Sequence, residues 1–523
     1  MPRISLERRY DVLVFSIALA TYCITLAPGA MWGDSAKYVI HSATWDLSID
    51  GGYHPLYSLI ASFFVRIVPG NDPALALNLL SALIGAGSVV LLRDLLRAEG
   101  VRSWIASAFA LAFAFSHAQW HLSVIAESYT LSLFGTLLTV RLARPLFTQH
   151  PGTAMGRSET AVSPRRFLWL GLTSGLVVSN FLLMIAYFGL LVVLVAVFRR
   201  ETWGRAPVRS AVGLIGGFLF GTALIWGPWL WYVSRGTLSA AEATSLALNG
   251  RYASTFFWNA PLEALRGLTL LGGLTLYQFP SPLLLFAVPG VVSLARREPT
   301  WLLWVGGMLI GTYLFCSTYM VQRAVFVMLP VFAFWAFFAA IGLDRVLSVL
   351  KEDRRLMKRA CLACAAFAAI APIPVYPMFV SGLALAEVDP VPGRDLPYRD
   401  NARYFLLPAK GHNTGPRELA EEVLERAAGG CVVADFTPFT VLSYYVGRLE
   451  GDVFVRASEG VHGESLCELL ASTVDAGRPL LFVDNEPQAY PVAELAPDYT
   501  LVPVGQLFQV VAVTAPAAQT SGD

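Results

Sequence analysis

The sequence predicts an α-helical polytopic membrane protein with a small α/β domain at its C-terminal end, and three observations carry that reading. Only 14% of the 523 residues are charged and 55% are hydrophobic, where soluble domains are about 25% charged. Apolar runs of about 20 residues, enough to cross a bilayer, recur through residues 11–385. From about Glu387 the composition changes, and short strand and helix patterns alternate. The expected division is 1–386 for the membrane domain and 387–523 for an extracytoplasmic α/β domain. A net charge of +1 and the lack of any nucleic-acid-binding motif argue against nucleic acid as a partner.

Taken in order, residues 11–28 form the first span, behind Arg3, Arg8 and Arg9. A cleaved signal peptide ending near Ala30 is the alternative reading. A polar stretch, 29–57, follows, and then 55–68, which Arg66 interrupts and which is too short to span; it reads as an interfacial helix. Spans continue at 73–96, 103–119 and 130–145. The run 167–198 is long enough for two short spans broken at Ser179–Asn180. Further spans fall at 210–233, from about Phe279 to Arg297 behind an interfacial helix, and at 301–319, 325–347 and 360–385, about eleven in all. Of the 38 lysines and arginines, 23 fall on the side that holds the N-terminus, six on the other side, and nine in the tail. Basic residues stay inside. The N-terminus is therefore expected in the cytoplasm, with residues 29–57, Glu127, Arg323 and the tail outside a multi-pass cell membrane protein.

Within the tail, helices are expected at 416–428, 440–446 and 464–472, and strands at 431–434, 452–455, 479–483, 499–503 and 507–513. No Gly-rich nucleotide motif accompanies them. Asp435 and Asp484 each end a strand, where they read as turn or cap residues before site residues. Of the six cysteines, Cys431 and Cys467 lie outside, where a disulfide is chemically allowed.

The polar stretch is where the chemistry concentrates. Read as a helix from Asp34, residues 34, 38, 41 and 45 share one face: Asp34, Tyr38, His41 and Trp45, with Lys37 one turn from Asp34. Such a segment between apolar helices needs water or a protein-lined cavity.

The strings TLAPGAMWGDSAKYV, GGYHPLYSLIASFFVRIVPG, NLLSALIGAGSVVLL and WHLSVIAESYTLSLF resemble a large prokaryotic family of membrane glycosyltransferases. That family is related to a eukaryotic transmembrane protein O-mannosyltransferase, within the GT-C superfamily that uses lipid-phosphate-linked sugars. Weaker likeness continues in GLVVSNFLLMIAYFG, YMVQRAVFVMLP and LPYRDNARYFLLPAKG. The resemblance implies a GT-C-like fold and transfer of a sugar, mannose by family default, from a polyprenyl-phosphate donor to a hydroxyl of a protein or glycan acceptor, with protein Ser/Thr preferred. It casts Asp34 as the loop carboxylate that acts as base and matches Glu127 to the carboxylate of the AESYTL segment. His54 and Tyr57 match the GYHPLY segment, where other members carry extra prolines. Ser179–Asn180 stands where the family has a pair of small polar residues or histidines.

That chemistry needs a base for the acceptor hydroxyl and cations or donors for the leaving phosphate. Lys37, His54, Arg251 and Arg323 are the external phosphate candidates, with Tyr57; Tyr38, His41 and Asn180 are further site candidates. Asp34 also suits a helix N-cap, Glu127 an interfacial ion pair, and Arg323 a rim charge. No cofactor is expected beyond the lipid-linked donor, although a divalent metal is not excluded; His117 and His121 read as packing residues before metal ligands. A lipid-linked glycan flippase or transporter would place charges mid-membrane and show repeat symmetry; a non-catalytic scaffold for the tail would need no facing Asp34 and Glu127.

Overall fold

The computed structural model describes residues 6–45, 54–70, 72–148, 162–198, 207–248, 261–318, 324–350, 355–388, 391, 394–495 and 498–513. Helix α1 covers Leu6–Ile24, α2 Asp34–Thr44, α3 Pro55–Ile67, α4 Pro73–Ala98, α5 Ser103–Ala114, α6 His117–Ser123 and α7 Tyr129–Ala143. The central element is α4. Asp72 caps it, its carboxylate accepting from the amides of Ala74 (2.9 Å) and Leu75 (3.3 Å), and Pro73 starts it where a missing N–H costs nothing. It packs against α1, α5 and α7.

Among the described residues, three helices are long and apolar enough to cross a membrane: Pro73–Ala98, Pro299–Ser317 and Leu329–Val349. Three bent pairs, kinked by 60°, 106° and 61°, bring the number to six if each pair is one span. The expected eleven counted apolar runs. The break expected within 167–198 is present: the helix before Ser179–Asn180 ends at Val178 and the next begins at Met184.

Two kinds of contact hold the bundle. At the end carrying the N-terminus of α1, ion pairs join elements: Arg93 with Glu7 (2.7 Å) and Asp11, Arg141 with Asp94 (2.6 Å), Arg102 with Asp344 (2.7 Å) and Arg144 with Glu99 and Glu298. Within the bundle, the helices Pro164–Val178 and Pro207–Gly221 cross backbone on backbone. A Cβ on Gly171 would lie 2.0 Å from the Leu214 carbonyl oxygen, and one on Gly217 2.4 Å from that of Leu168. Small residues permit this approach, which suits lipid, where close packing replaces the hydrophobic effect between helices.

The tail contains a five-stranded sheet: β1 Cys431–Ala434, β2 Phe454–Ala457, β3 Leu480–Phe482, β4 Tyr499–Val504 and β5 Leu507–Ala512, in the order β2-β1-β3-β5-β4. Strand β1 is parallel to both β2 and β3; β5 is antiparallel to β3 and β4. Both β1 and β3 are buried throughout, matching their apolar runs. The helix expected at 440–446 is longer, Phe436–Arg448. Cys431 and Cys467 do not pair: both are free thiols, Cys431 buried in β1 and Cys467 exposed on another helix. Asp435 and Asp484, at the ends of β1 and β3, are both bound by Arg394 (2.7 and 2.9 Å).

This tail is docked on the bundle. The Lys410 amide donates to the Thr25 carbonyl (2.9 Å), Tyr277 to the Leu406 carbonyl (2.8 Å) and Tyr444 to the Asp72 carboxylate (3.0 Å). Buried Lys410 donates from Nζ to the carbonyls of Tyr404 (2.6 Å) and Leu407, and burial holds its amine well below the usual lysine range.

Candidate active site

Helix α2 starts at Asp34 because Gly33 turns the chain into it with φ +67°, a conformation that side chains disfavour. The N-cap position belongs to Gly33, so Asp34 is the first residue of the helix and not its cap. Its carboxylate is half-buried, in the turn where the helix dipole favours a negative charge. Lys37 is half-buried on the same helix, and His41 lies further along it. The shared face ends earlier than expected. Trp45 takes a left-handed φ of 58° just past α2, and its ring turns to Phe63 (4.9 Å) and lies under the Arg66 guanidinium (4.4 Å).

Tyr38 is the centre of the cluster. Its ring meets His54 edge-on at 5.9 Å and Tyr57 at 5.1 Å, and its hydroxyl is 3.3 Å from Ser128 Oγ. Burial holds the phenol well above its usual range, and the charges of Glu127 and Asp34 push it the same way. A protonated phenol between two carboxylates can donate a hydrogen bond.

His54 precedes α3, with Tyr129 6.0 Å from its ring. Its Nδ1 bonds the Asn180 backbone carbonyl. A carbonyl only accepts, so Nδ1 carries the proton and Nε2 presents a lone pair when the ring is neutral. Burial lowers this imidazole below its ordinary value. Of the roles expected for His54, a phosphate-holding cation is the one its environment disfavours.

Asn180 uses its whole side chain: Nδ2 donates to the Ser128 carbonyl (3.0 Å) and Ser132 Oγ (2.7 Å), and Oδ1 accepts from the Tyr57 amide (3.1 Å). It clamps the start of α3 to the start of α7 and is a positioning residue. Replacing it by Leu takes the partner from the buried Tyr57 amide, worth about 1–3 kcal/mol, while the Ser128 carbonyl keeps the Ser132 amide (3.2 Å). Asn180→Leu is therefore expected to lower the melting temperature of the purified protein by several degrees and to impair whatever His54 and Tyr57 do; an unchanged melting curve would contradict the clamp.

Glu127 is buried in the turn between α6 and α7, its amide donating to Ser81 Oγ (3.3 Å), and its charge acts on both Tyr38 and Tyr57. The structure thus gathers Asp34, Tyr38, His54, Tyr57, Glu127 and Asn180, with Lys37 on the adjoining turn. Arg251 and Arg323 lie outside the described residues. His117 and His121 pack in a separate aromatic group: His121 stacks on Phe326 (4.9 Å) and His117 lies 5.3 Å from Tyr277. Among the described residues no group of three or more His, Cys, Asp or Glu could hold a metal ion. Sequence reasoning missed Ser81 and Ser132, whose only signal is a hydroxyl facing inward from an apolar helix.

The protein O-mannosyl-transferase TMEM260 N-terminal domain family matches residues 34–205, beginning at Asp34. Mouse protein O-mannosyl-transferase TMEM260 is 32% identical over 138 residues, 26% of this chain; the match spans about a fifth (19%) of that relative's length. The structure of ArnT from Cupriavidus metallidurans bound to undecaprenyl phosphate superimposes with a TM-score of 0.55 at 15% identity, covering 96% of this chain and 97% of that one. The oligosaccharyltransferase AglB from Archaeoglobus fulgidus, in complex with an inhibitory peptide and a dolichol-phosphate, gives a TM-score of 0.50 at 13% identity over 91% of this chain and 70% of that one. This chain is a multi-pass membrane protein of the GT-C-like fold, related through residues 34–205 to the TMEM260 N-terminal domain family.

Proposed function

We propose that the protein is a membrane glycosyltransferase that moves a sugar from a polyprenyl-phosphate donor to an acceptor hydroxyl at the extracytoplasmic face. The observation that carries this reading is the convergence of Asp34, Tyr38, His54, Tyr57 and Glu127 at one end of the helical bundle, beneath the docked tail. Two solved proteins of similar fold were captured with lipid phosphates, which supports a lipid-linked donor. The mouse relative's name supports mannose and a protein hydroxyl.

In this mechanism Asp34 takes the proton of the acceptor hydroxyl as its oxygen attacks the anomeric carbon. The bond from that carbon to the phosphate oxygen breaks, and the lipid phosphate leaves with the electron pair. Lys37 stands on the turn next to Asp34, where it can offset the phosphate charge, and Arg251 and Arg323 remain candidates for the same task. Tyr38 donates from a phenol that stays protonated.

The test is transfer of labelled mannose from polyprenyl-phosphate mannose to a Ser/Thr-containing peptide by the purified protein in nanodiscs. No transfer from any lipid-phosphate sugar, with the donor present in the bilayer, would overturn the reading.

The domains are proposed as 1–386 in the membrane and 387–523 outside it. A reporter active only outside the cytoplasm should be active when fused after Ala517 and silent when fused at Gly156. The reverse pattern would put the site on the cytoplasmic face.

A further inference from the structure

The segment that leads into Asp34 is held from two sides. From α4, Asn78 Nδ2 donates to the carbonyls of Ala27 and Gly29, each at 3.0 Å. From the other side comes the tail helix Phe436–Arg448, which packs on α2. Tyr445 donates to the Ala30 carbonyl at 3.3 Å, and Thr440 Oγ1 donates to the Gly33 carbonyl at 3.0 Å. A Cβ on Gly29 would sit 2.3 Å from the Tyr445 hydroxyl oxygen, so the backbone there runs directly against the tail.

The Thr440 bond differs from the others in what it fixes. The Gly33 carbonyl belongs to the peptide unit that contains the Asp34 nitrogen, so its direction sets the start of α2 and the aim of the carboxylate. Gly33 has no side chain to restrain that unit and α2 has no side-chain cap, so the carbonyl is held by the Lys37 amide (3.3 Å) from within the helix and by Thr440 from the tail. Thr440 has a second acceptor, the Thr437 carbonyl at 3.1 Å, so its hydroxyl is satisfied within its own helix if the contact to Gly33 is lost. The interaction is thus cheap to remove from the tail and consequential for the loop.

We propose that Thr440 is a positioning residue for the transfer reaction, and that the tail helix Phe436–Arg448 sets the orientation of the Asp34 peptide. This rests on the reading of Asp34 as the base. Misplacing a reacting group by about 1 Å costs up to about 10²-fold in rate, while binding contacts remote from it are untouched. Thr440 therefore acts on turnover.

The experiment uses the full-length protein in nanodiscs, with Thr440→Val, Thr440→Ser and Asp34→Asn compared in the peptide transfer assay and by thermal melting. Thr440→Val keeps the shape and loses the hydroxyl. It is expected to lower kcat about 10-fold, with the donor KM and the melting temperature close to those of the unmodified protein. Thr440→Ser restores the hydroxyl and should recover kcat relative to Val. Three outcomes overturn the proposal: Thr440→Val turning over normally, Ser failing where Val fails, or a fall in kcat that comes with a lower melting temperature and a changed KM, which marks a merely stabilising contact. If Asp34→Asn is inactive while Thr440→Val is normal, the positioning role alone fails. If Asp34→Asn turns over normally, it is the assignment of the base that fails.

Discussion

Asp34→Asn should reduce the rate of sugar transfer by about 10²–10⁴-fold, the range a positioned general base contributes. The amide keeps the shape of the side chain and a hydrogen-bonding oxygen but has no basic lone pair for the acceptor proton. Because α2 is capped by Gly33 and not by Asp34, the substitution leaves the helix start intact. The melting temperature should hold, which separates loss of chemistry from loss of structure. Donor affinity should change little, since in the proposed mechanism the carboxylate acts on the acceptor. The measurements are initial rates of transfer and equilibrium donor binding in nanodiscs. Turnover within a few-fold of the unmodified protein would remove Asp34 from the role and leave Glu127 as the next carboxylate to replace.

Arg144→Met should have the largest effect on stability, about 3–5 kcal/mol. The guanidinium is bonded to Glu99 (2.8 Å) and Glu298 (2.5 Å) and lies 5.0 Å from the centre of the Trp301 ring. Side-chain exposure is 6% for Arg144, 1% for Glu99 and 15% for Glu298. Removing the cation leaves two carboxylates with little access to water and no charge between them. Burial already raises the Glu99 carboxyl above its ordinary value, and without Arg144 it rises further. The folded state then binds a proton more tightly than the unfolded chain, so the variant gains stability as pH falls and loses it as pH rises. The drop in melting temperature should be smaller at about pH 5 than at about pH 8. Adding Glu99→Gln and Glu298→Gln to Arg144→Met should recover most of it. A variant that melts with the unmodified protein at both values would show the cluster to be dispensable.

The membrane class was legible because apolar runs and charge depletion are local properties. The candidate site was legible for a related reason: Asp34, Lys37, Tyr38, His54 and Tyr57 fall within one polar stretch that lipid cannot solvate. Their geometry was not legible. Periodicity placed Trp45 beside His41, but the chain leaves the helix at Thr44 and the indole goes to Arg66 instead. Asn180 reads as a further site candidate because a sequence shows the side chain and not its partners; its amide bonds Ser128, Ser132 and Tyr57. An apolar run likewise does not record where a helix bends, as in the pair Pro207–Gly221 and Ala223–Ser234, set at 60°. In the tail, the alternation of apolar strand cores and amphipathic helices located most elements to within a few residues. It gave no sign that Thr440 and Tyr445 would reach residues 407 and 415 positions earlier in the chain.

Those separations have a consequence for how the protein is made. A ribosome adding about 5–20 residues per second delivers Thr440 roughly 20–80 s after Gly33. Throughout that interval the loop bearing Asp34 has its anchors on α4 and on the Val124 carbonyl, to which the Ala27 amide donates (2.9 Å), but nothing from the tail. The tail's contacts onto the loop form only after Thr440 and Tyr445 have been made. A product that terminates before Thr440 lacks the bond to the Gly33 carbonyl at the start of α2. Synthesis past Thr440 is thus the step at which the loop that the proposed mechanism assigns to the acceptor proton gains its hold from the tail.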